Sequence, residues 1–226
     1  MEGIRKLIHE SIQQFDLKIP DEDKGKFEEI MNKIFIERQK PRDVLGFSEE
    51  MMEHLYQYGY RLYDNGNYKK AANVFLGLTV YDPYEARFAM ALGASSHRIK
   101  NFRDATKYYL RAGMLDPKDP LPFYYMYDCY SQAGSLSDAE ICLEVVIRRC
   151  GKVPLFAKIK ERSLLLLDSL KKEIERLKKE GLVEEIPLNL AEEDMGLPPA
   201  FQKALEEQLK KQESALKQEL KEESKK

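Results

Sequence analysis

The chain has 226 residues, 43% of them hydrophobic and 34% charged, with a formal net charge of −2. That is enough apolar material for one good-sized core plus appendages, and the near-balance of charge excludes the clustered basic face that nucleic acid or an anionic lipid surface demands. The longest aliphatic run, Leu164 to Leu167, is too short to span a bilayer.

The N-terminus, Met1-Glu-Gly-Ile-Arg-Lys, lacks the apolar run of a signal peptide. Cys129, Cys142 and Cys150 are odd in number and form no C-x-x-C pair, so free thiols in a reducing cytoplasm are expected. No strand-like alternation of any length occurs, and the expected class is all-α. Ile4, Leu7, Ile8, Ile12 and Phe15 give residues 2–16 an amphipathic helical stripe. Pro20-Asp-Glu-Asp breaks it. A second helix follows on Phe27, Ile30, Met31, Ile34 and Phe35, and ends near Lys40-Pro41, because the residue before proline avoids the α region. Ser48 is a suitable N-cap for the next helix, with Phe47 and Met52 at the two positions of a hydrophobic staple.

From there one pattern is written three times over residues 52–151. Gly59 recurs as Gly93, Ala71 as Ala105 and Ala139, and Pro83 as Pro117, each step being 34 positions. Tyr68 and Phe102 match in the same register, as do Phe75 and Tyr109. A fixed period of this length predicts three tandem tetratricopeptide (TPR) helix-turn-helix repeats, each burying its apolar face on the next. Helix pairs are predicted at 49–64 and 67–80, 83–98 and 101–114, and 120–133 and 136–149. A longer helix is expected from Pro154 to about Glu180, stopped by Gly181. Its Leu167, Leu170, Ile174 and Leu177 suit a cap over the last repeat or a short coiled coil. Pro187, Gly196, Pro198 and Pro199 mark a linker. After it, Phe201, Leu205, Leu209, Leu216 and Leu220 make a thin stripe in a charged tail, suited to a solvated helix or a partner-binding one. The expected organisation is an N-terminal helical region over 1–47, repeats over 48–151, a capping helix over 152–180, and a linker and charged helical extension over 181–226.

In a TPR unit the first helix is shared between core and concave surface. The core of repeat one is expected to use Leu55, Tyr58, Gly59 and Leu62, with Tyr68, Ala71, Phe75 and Leu78 from the second helix. A second stripe remains on the first helix, Tyr56, Tyr60 and Tyr63, and a helix apolar on two faces must bury both. Tyrosine suits a wet groove, because its ring packs apolar groups while its hydroxyl stays hydrated. The equivalent positions are Arg87, Met90, Ala94 and His97 in repeat two, and Leu121, Tyr124, Asp128 and Ser131 in repeat three. Such a surface suits an extended apolar peptide. The competing reading is that the tyrosines are core, packed on the N-terminal helices. One of those helices covering the groove until a client displaces it is the intermediate case.

Tyr81-Asp-Pro-Tyr-Glu-Ala-Arg-Phe-Ala-Met-Ala-Leu-Gly-Ala94 resembles the most recognisable segment of the class II (translocator) chaperones of bacterial type III secretion systems, the LcrH/SycD-like TPR family. The helix bearing Tyr56, Tyr60 and Tyr63, the Gly66-Asn-Tyr68 turn, and the third repeat from Pro122-Phe123 to Ile147 are similar as well, so the resemblance covers about residues 27–170. It implies a small cytosolic protein without ATPase activity. Such a protein binds hydrophobic translocator proteins through an extended segment in the concave groove and keeps them soluble before export. The resemblance places Tyr56, Tyr60, Tyr63 and Tyr68 in that groove, with Tyr81 and Tyr109 as further members, and implies dimerisation through about residues 4–36. Residues 181–226 extend beyond the typical family length.

Two other classes fit less well. A TPR clamp for an acidic C-terminus needs Lys, Arg and Asn on its concave face, where this chain has Tyr56, Tyr60, Met90, Ala94, Tyr124 and Asp128. A general TPR interaction scaffold or co-chaperone remains as the alternative. An enzyme is not expected: His9, His54 and His97 lie far apart, no metal-ligand spacing or phosphate loop occurs, and no cofactor is implied.

Overall fold

A computed structural model describes residues 20–181. They lie in the first of two units into which the chain divides, Met1–Glu184 and Glu185–Lys226. The helix expected over 2–16, the linker and the charged tail fall outside the described residues.

Every regular element among the described residues is helical. The order is α1 (Asp21–Phe35), α2 (Pro41–Val44), α3 (Glu49–Asp64), α4 (Tyr68–Tyr81), α5 (Ala86–Arg98), α6 (Phe102–Leu115), α7 (Leu121–Ala133), α8 (Leu136–Cys150), a 3-10 turn (Pro154–Phe156) and α9 (Ala157–Lys179). Helices α3 to α8 form three antiparallel pairs, and the main packing from α3 onward is between consecutive helices. This is the stacking that a 34-residue repeat requires. The expected second repeat starts three residues late, because Pro83-Tyr-Glu forms a turn and Glu85 caps α5 by accepting from the Arg87 N–H.

Local chemistry fixes the ends. Ser48 Oγ accepts from Met51 N at 3.1 Å, a cap worth about 1 kcal/mol. Phe47, expected to staple onto Met52, packs against the buried cluster to which Met52 belongs. The turn between the two helices of each repeat needs a left-handed residue. Repeats one and three use Gly66 (φ 75°) and Gly134 (φ 80°). Repeat two uses Lys100 at φ 61°, a conformation costing a side-chain-bearing residue on the order of 1 kcal/mol.

The pairs close on glycine. A Cβ at Gly59 would stand 2.7 Å from the Phe75 ring, and one at Gly93 would stand 2.8 Å from the Tyr109 ring. Phe75 and Tyr109 are each 1% exposed, and Ala71, Ala105 and Ala139 are fully buried. Repeat three reverses the sizes, with Tyr127 at the glycine position and Leu143 at the aromatic one.

Tyr58, expected in the core, is 48% exposed. At about 100° per residue it stands one step around the helix from Gly59, the centre of the buried arc. Tyr60 stands one step to the other side, also 48% exposed. The two tyrosines therefore flank the arc, and only one of them faces the concave side. Of the other expected core residues, Gly59, Ala71, Phe75 and Leu78 are buried, while Leu55 and Leu62 pack against their cluster partly exposed.

The N-terminal segment is tied to the repeats at Asp82. Asp82 is 2% exposed, and its Oδ2 meets Lys40 Nζ at 2.9 Å and Arg42 Nη1 at 3.3 Å. Its Oδ1 accepts from the Tyr84 N–H. Further on, Arg111 donates to the Pro83 carbonyl and Arg149 to the carbonyls of Gly113, Asp116 and Asp119, holding the linkers between repeats. At the C-terminal end α9 packs on α8, burying Ile174 with Leu167, Leu170 and Leu177 partly covered.

Candidate functional site

The concave side holds a cavity of about 720 Å³ lined from α3, α4, α5, α6 and α7. It brings together ten of the expected groove residues: Tyr56, Tyr60, Tyr63, Tyr68, Arg87, Met90, Ala94, His97, Tyr109 and Asp128. Tyr81 and Tyr124 are placed elsewhere. Tyr81 ends α4, and its ring lies 4.5 Å from that of Phe47, at the N-terminal side of repeat one. Tyr124 faces α9, with the Arg162 guanidinium 5.9 Å from its ring.

The miss at Tyr124 has a geometric cause. In repeat one the cavity residues are Tyr56, Tyr60 and Tyr63. In repeat three they are Tyr125, Asp128 and Gln132, which correspond to positions 57, 60 and 64 of repeat one. Repeat two shows both registers, with Met90, Ala94 and His97 beside Ala91 and Arg98. The concave face thus drifts around the first helix of each repeat, as expected when successive units are rotated along a solenoid. A strict 34-residue transfer ignores that rotation and picks Tyr124 over Tyr125. The Tyr-rich run 124, 125, 127 and 130 carried the signal, without saying which ring faces inward.

The tyrosine row forms one continuous aromatic wall. Tyr56 and Tyr60 have centroids 6.2 Å apart, Tyr60 and Tyr63 6.3 Å, and Tyr63 meets Tyr68 edge-on at 5.1 Å. Tyr56 is rooted in the core, 5.7 Å from both Phe75 and Phe88. Burial raises the pKa of Tyr56 and Tyr63, keeping both phenols protonated. Among the described aromatic rings Tyr60 touches only Tyr56 and Tyr63, so its half-exposed ring is the part of the wall most available to a ligand. The competing reading therefore divides: Tyr56 and Tyr63 belong partly to the core cluster, and Tyr60 does not.

Arg87 lies over the Tyr56 ring at 5.2 Å and is held by Glu53 at 3.2 Å and Glu85 at 3.3 Å. On the floor, the buried Tyr109 stacks on Tyr125 at 5.5 Å. Its hydroxyl is 3.5 Å from His97 Nδ1. His97 Nε2 is 3.3 Å from Asp128 Oδ2 and the same distance from Gln132 Nε2. Burial lowers the His97 pKa, against the opposing pull of Asp128, so the imidazole is neutral at pH 7. Apart from this polar cluster and the cationic rim at Arg98 and Lys100, the cavity offers ring faces, a flexible Met90 and small alanines. That combination holds apolar side chains and extended backbone. Among the described residues, no three His, Cys, Asp or Glu side chains converge as a metal site, and no helix is long and apolar enough to cross a membrane.

An aromatic concave groove on three stacked helix pairs defines a TPR-type peptide-holding protein. No family model matches the chain, but individual relatives do. It is 31% identical over 130 residues to the low calcium response locus protein H of Yersinia pseudotuberculosis, covering 57% of this chain and 77% of the relative. It is equally 31% identical over 130 residues to the chaperone protein SicA of Salmonella dublin, covering 58% and 76%. Among solved structures it matches the type III secretion chaperone SycD of Yersinia enterocolitica in complex with a peptide of the translocator YopD. There the TM-score is 0.53 and the identity 28%, over 56% of this chain and 96% of the other. The chain belongs to the translocator chaperones of type III secretion, the LcrH/SycD-like family.

Proposed function

We propose that this protein is an ATP-independent cytoplasmic chaperone that holds an extended segment of a hydrophobic type III translocator in the cavity between α3 and α7, keeping the translocator soluble before export. The observation that carries this reading is the unbroken Tyr56–Tyr60–Tyr63–Tyr68 wall, with Tyr60 half exposed where its neighbours are rooted in the core. The SycD complex with a YopD peptide supports it by kinship. Tyrosine rings grip apolar side chains without needing a nucleotide-driven cycle, and no catalytic step is assigned to the chain. The described portion of the N-terminal region supplies a second surface. Helix α1 presents Phe27, Ile30, Met31 and Ile34, none of them fully buried, and among the described residues its main packing is on the short α2. This stripe is the proposed face for a homodimer.

The test is co-expression with the translocators of the same genome. A translocator that stays soluble and co-purifies with the wild type, and is lost with Tyr60→Ala, supports the reading. Equal recovery by both proteins overturns the groove assignment.

A further inference from the structure

At its Tyr63–Tyr68 end the cavity carries two cations, Arg98 and Lys100, that no described carboxylate neutralises. The third cation of the lining, Arg87, is gripped by Glu53 and Glu85. Among the described residues Arg98 has no carboxylate partner. Its guanidinium lies 4.9 Å from the centre of the Tyr68 ring, and Nη2 donates to the Tyr68 hydroxyl at 2.6 Å. The Lys100 ammonium makes no hydrogen bond or ion pair with any described residue.

Arg98 is also held in place. Stacking on Tyr68 and the hydrogen bond to its hydroxyl fix the plane of the guanidinium while leaving most of its five N–H donors free. Lys100 stands at an unusual position. Residues 66, 100 and 134 are equivalent turn positions with φ of 75°, 61° and 80°. The outer two are glycine, which this backbone favours, and the one lining the cavity is lysine. A local backbone rule is broken at the one copy of the turn that faces the groove, a combination typical of functional positions.

We infer that Arg98 and Lys100 form a carboxylate-recognition subsite, so that the segment held in this groove carries an Asp or Glu beside its apolar anchors. The rings of Tyr60 and Tyr63 take the apolar side chain, and the adjacent carboxylate lies against the Arg98 fork with Lys100 as a second donor. Charge-assisted pairing of this kind adds discrimination to an apolar groove that otherwise accepts many sequences. This inference rests on the peptide-holding role proposed above.

The experiment uses the full chain and fluorescein-labelled peptides: the YopD segment bound by SycD, and 15-residue tiles of the translocators encoded in the same genome. Each tile that binds by anisotropy is remade with every Asp changed to Asn and every Glu to Gln. For the wild type, one such change is expected to weaken binding about five- to tenfold. With Arg98→Gln and with Lys100→Gly that difference is expected to fall below about twofold. Lys100→Gly is also expected to melt about 2–4 °C higher, since glycine suits the turn, so weaker binding cannot be blamed on unfolding. Equal binding of acid and amide peptides by the wild type overturns the subsite while leaving the groove intact, as does discrimination that survives both substitutions. If the tiles and the YopD segment all fail to bind, the peptide-holding role itself fails, and the subsite with it.

Discussion

Truncating Tyr60 and Tyr56 one at a time separates holding a client from holding the fold. Tyr60 is 48% exposed, and among the described aromatics its ring meets only Tyr56 and Tyr63. Burying a tyrosine removes about 150–250 Å² from water, so Tyr60 forfeits roughly half of that on truncation. At about 25 cal/mol per Å², less what exposed neighbours recover, the cost is about 1–2 kcal/mol. Tyr56 sits against Phe75, Phe88 and the Arg87 guanidinium. Its removal opens a gap above the core of repeat one, at a cost of about 3 kcal/mol. For a domain of this size those figures correspond to melting shifts of about 2–8 °C for Tyr60→Ala and 6–12 °C for Tyr56→Ala. Client binding should suffer in both, by about tenfold or more for Tyr60→Ala, because a half-exposed aromatic anchor is the usual hot spot of an interface. Thermal melts by circular dichroism and co-purification with translocator are the two assays. The reasoning is refuted if Tyr60→Ala lowers the melting temperature as far as Tyr56→Ala does, or if it leaves client recovery unchanged.

Other perturbations follow from the packing. Gly93→Ala drives a Cβ to 2.8 Å from the buried Tyr109 ring and should cost about 1–3 kcal/mol; Gly93→Ala with Tyr109→Leu should recover part of it in melting experiments, as repeat three tolerates leucine there. Asp82→Ala leaves Lys40 and Arg42 facing a site without its carboxylate. It should cost about 1–3 kcal/mol, discounted because Lys40 is partly exposed, and should speed proteolysis within residues 36–47 before the repeats are cut. The folded-state pKa of His97 is depressed by burial. Below the ordinary histidine pKa the unfolded chain therefore binds a proton that the folded chain resists. Wild-type stability should fall between pH 7 and pH 5 by more than that of His97→Gln, whereas above pH 7 the two should track each other; parallel curves throughout would contradict the assignment.

The repeat block was legible because its signals were redundant. Gly59, Ala71 and Pro83 each recur at the same spacing, Phe75 is matched by Tyr109, and one wrong residue does not disturb the period. The groove was less legible, for two physical reasons. Tyr58 and Tyr60 have the same side chain one step either side of Gly59, so identity alone cannot tell the exposed outer ring from the cavity ring. Tyr124 and Tyr125 are adjacent, and which of them enters the cavity depends on how far repeat three is rotated against repeat one, a quantity set by packing along the whole stack. Arg98 and Lys100 went unnoticed because they sit at a helix C-terminus, where basic residues are expected for the dipole alone; comparing Lys100 with Gly66 and Gly134 was the available clue.

The packing between consecutive helices has a mechanical consequence. Each repeat is gripped mainly by the one before and the one after, so the curvature of the stack behaves as a chain of soft springs in series. The cavity wall begins at Tyr56 and ends at Gln132, two residues on helices separated by three others. A segment lying across it is a brace between the first spring and the last, stiffening a bend that the chain's own contacts leave compliant. Loading the groove should therefore merge the melting of the three repeats into a sharper single transition, and unloading it should let the arch relax open.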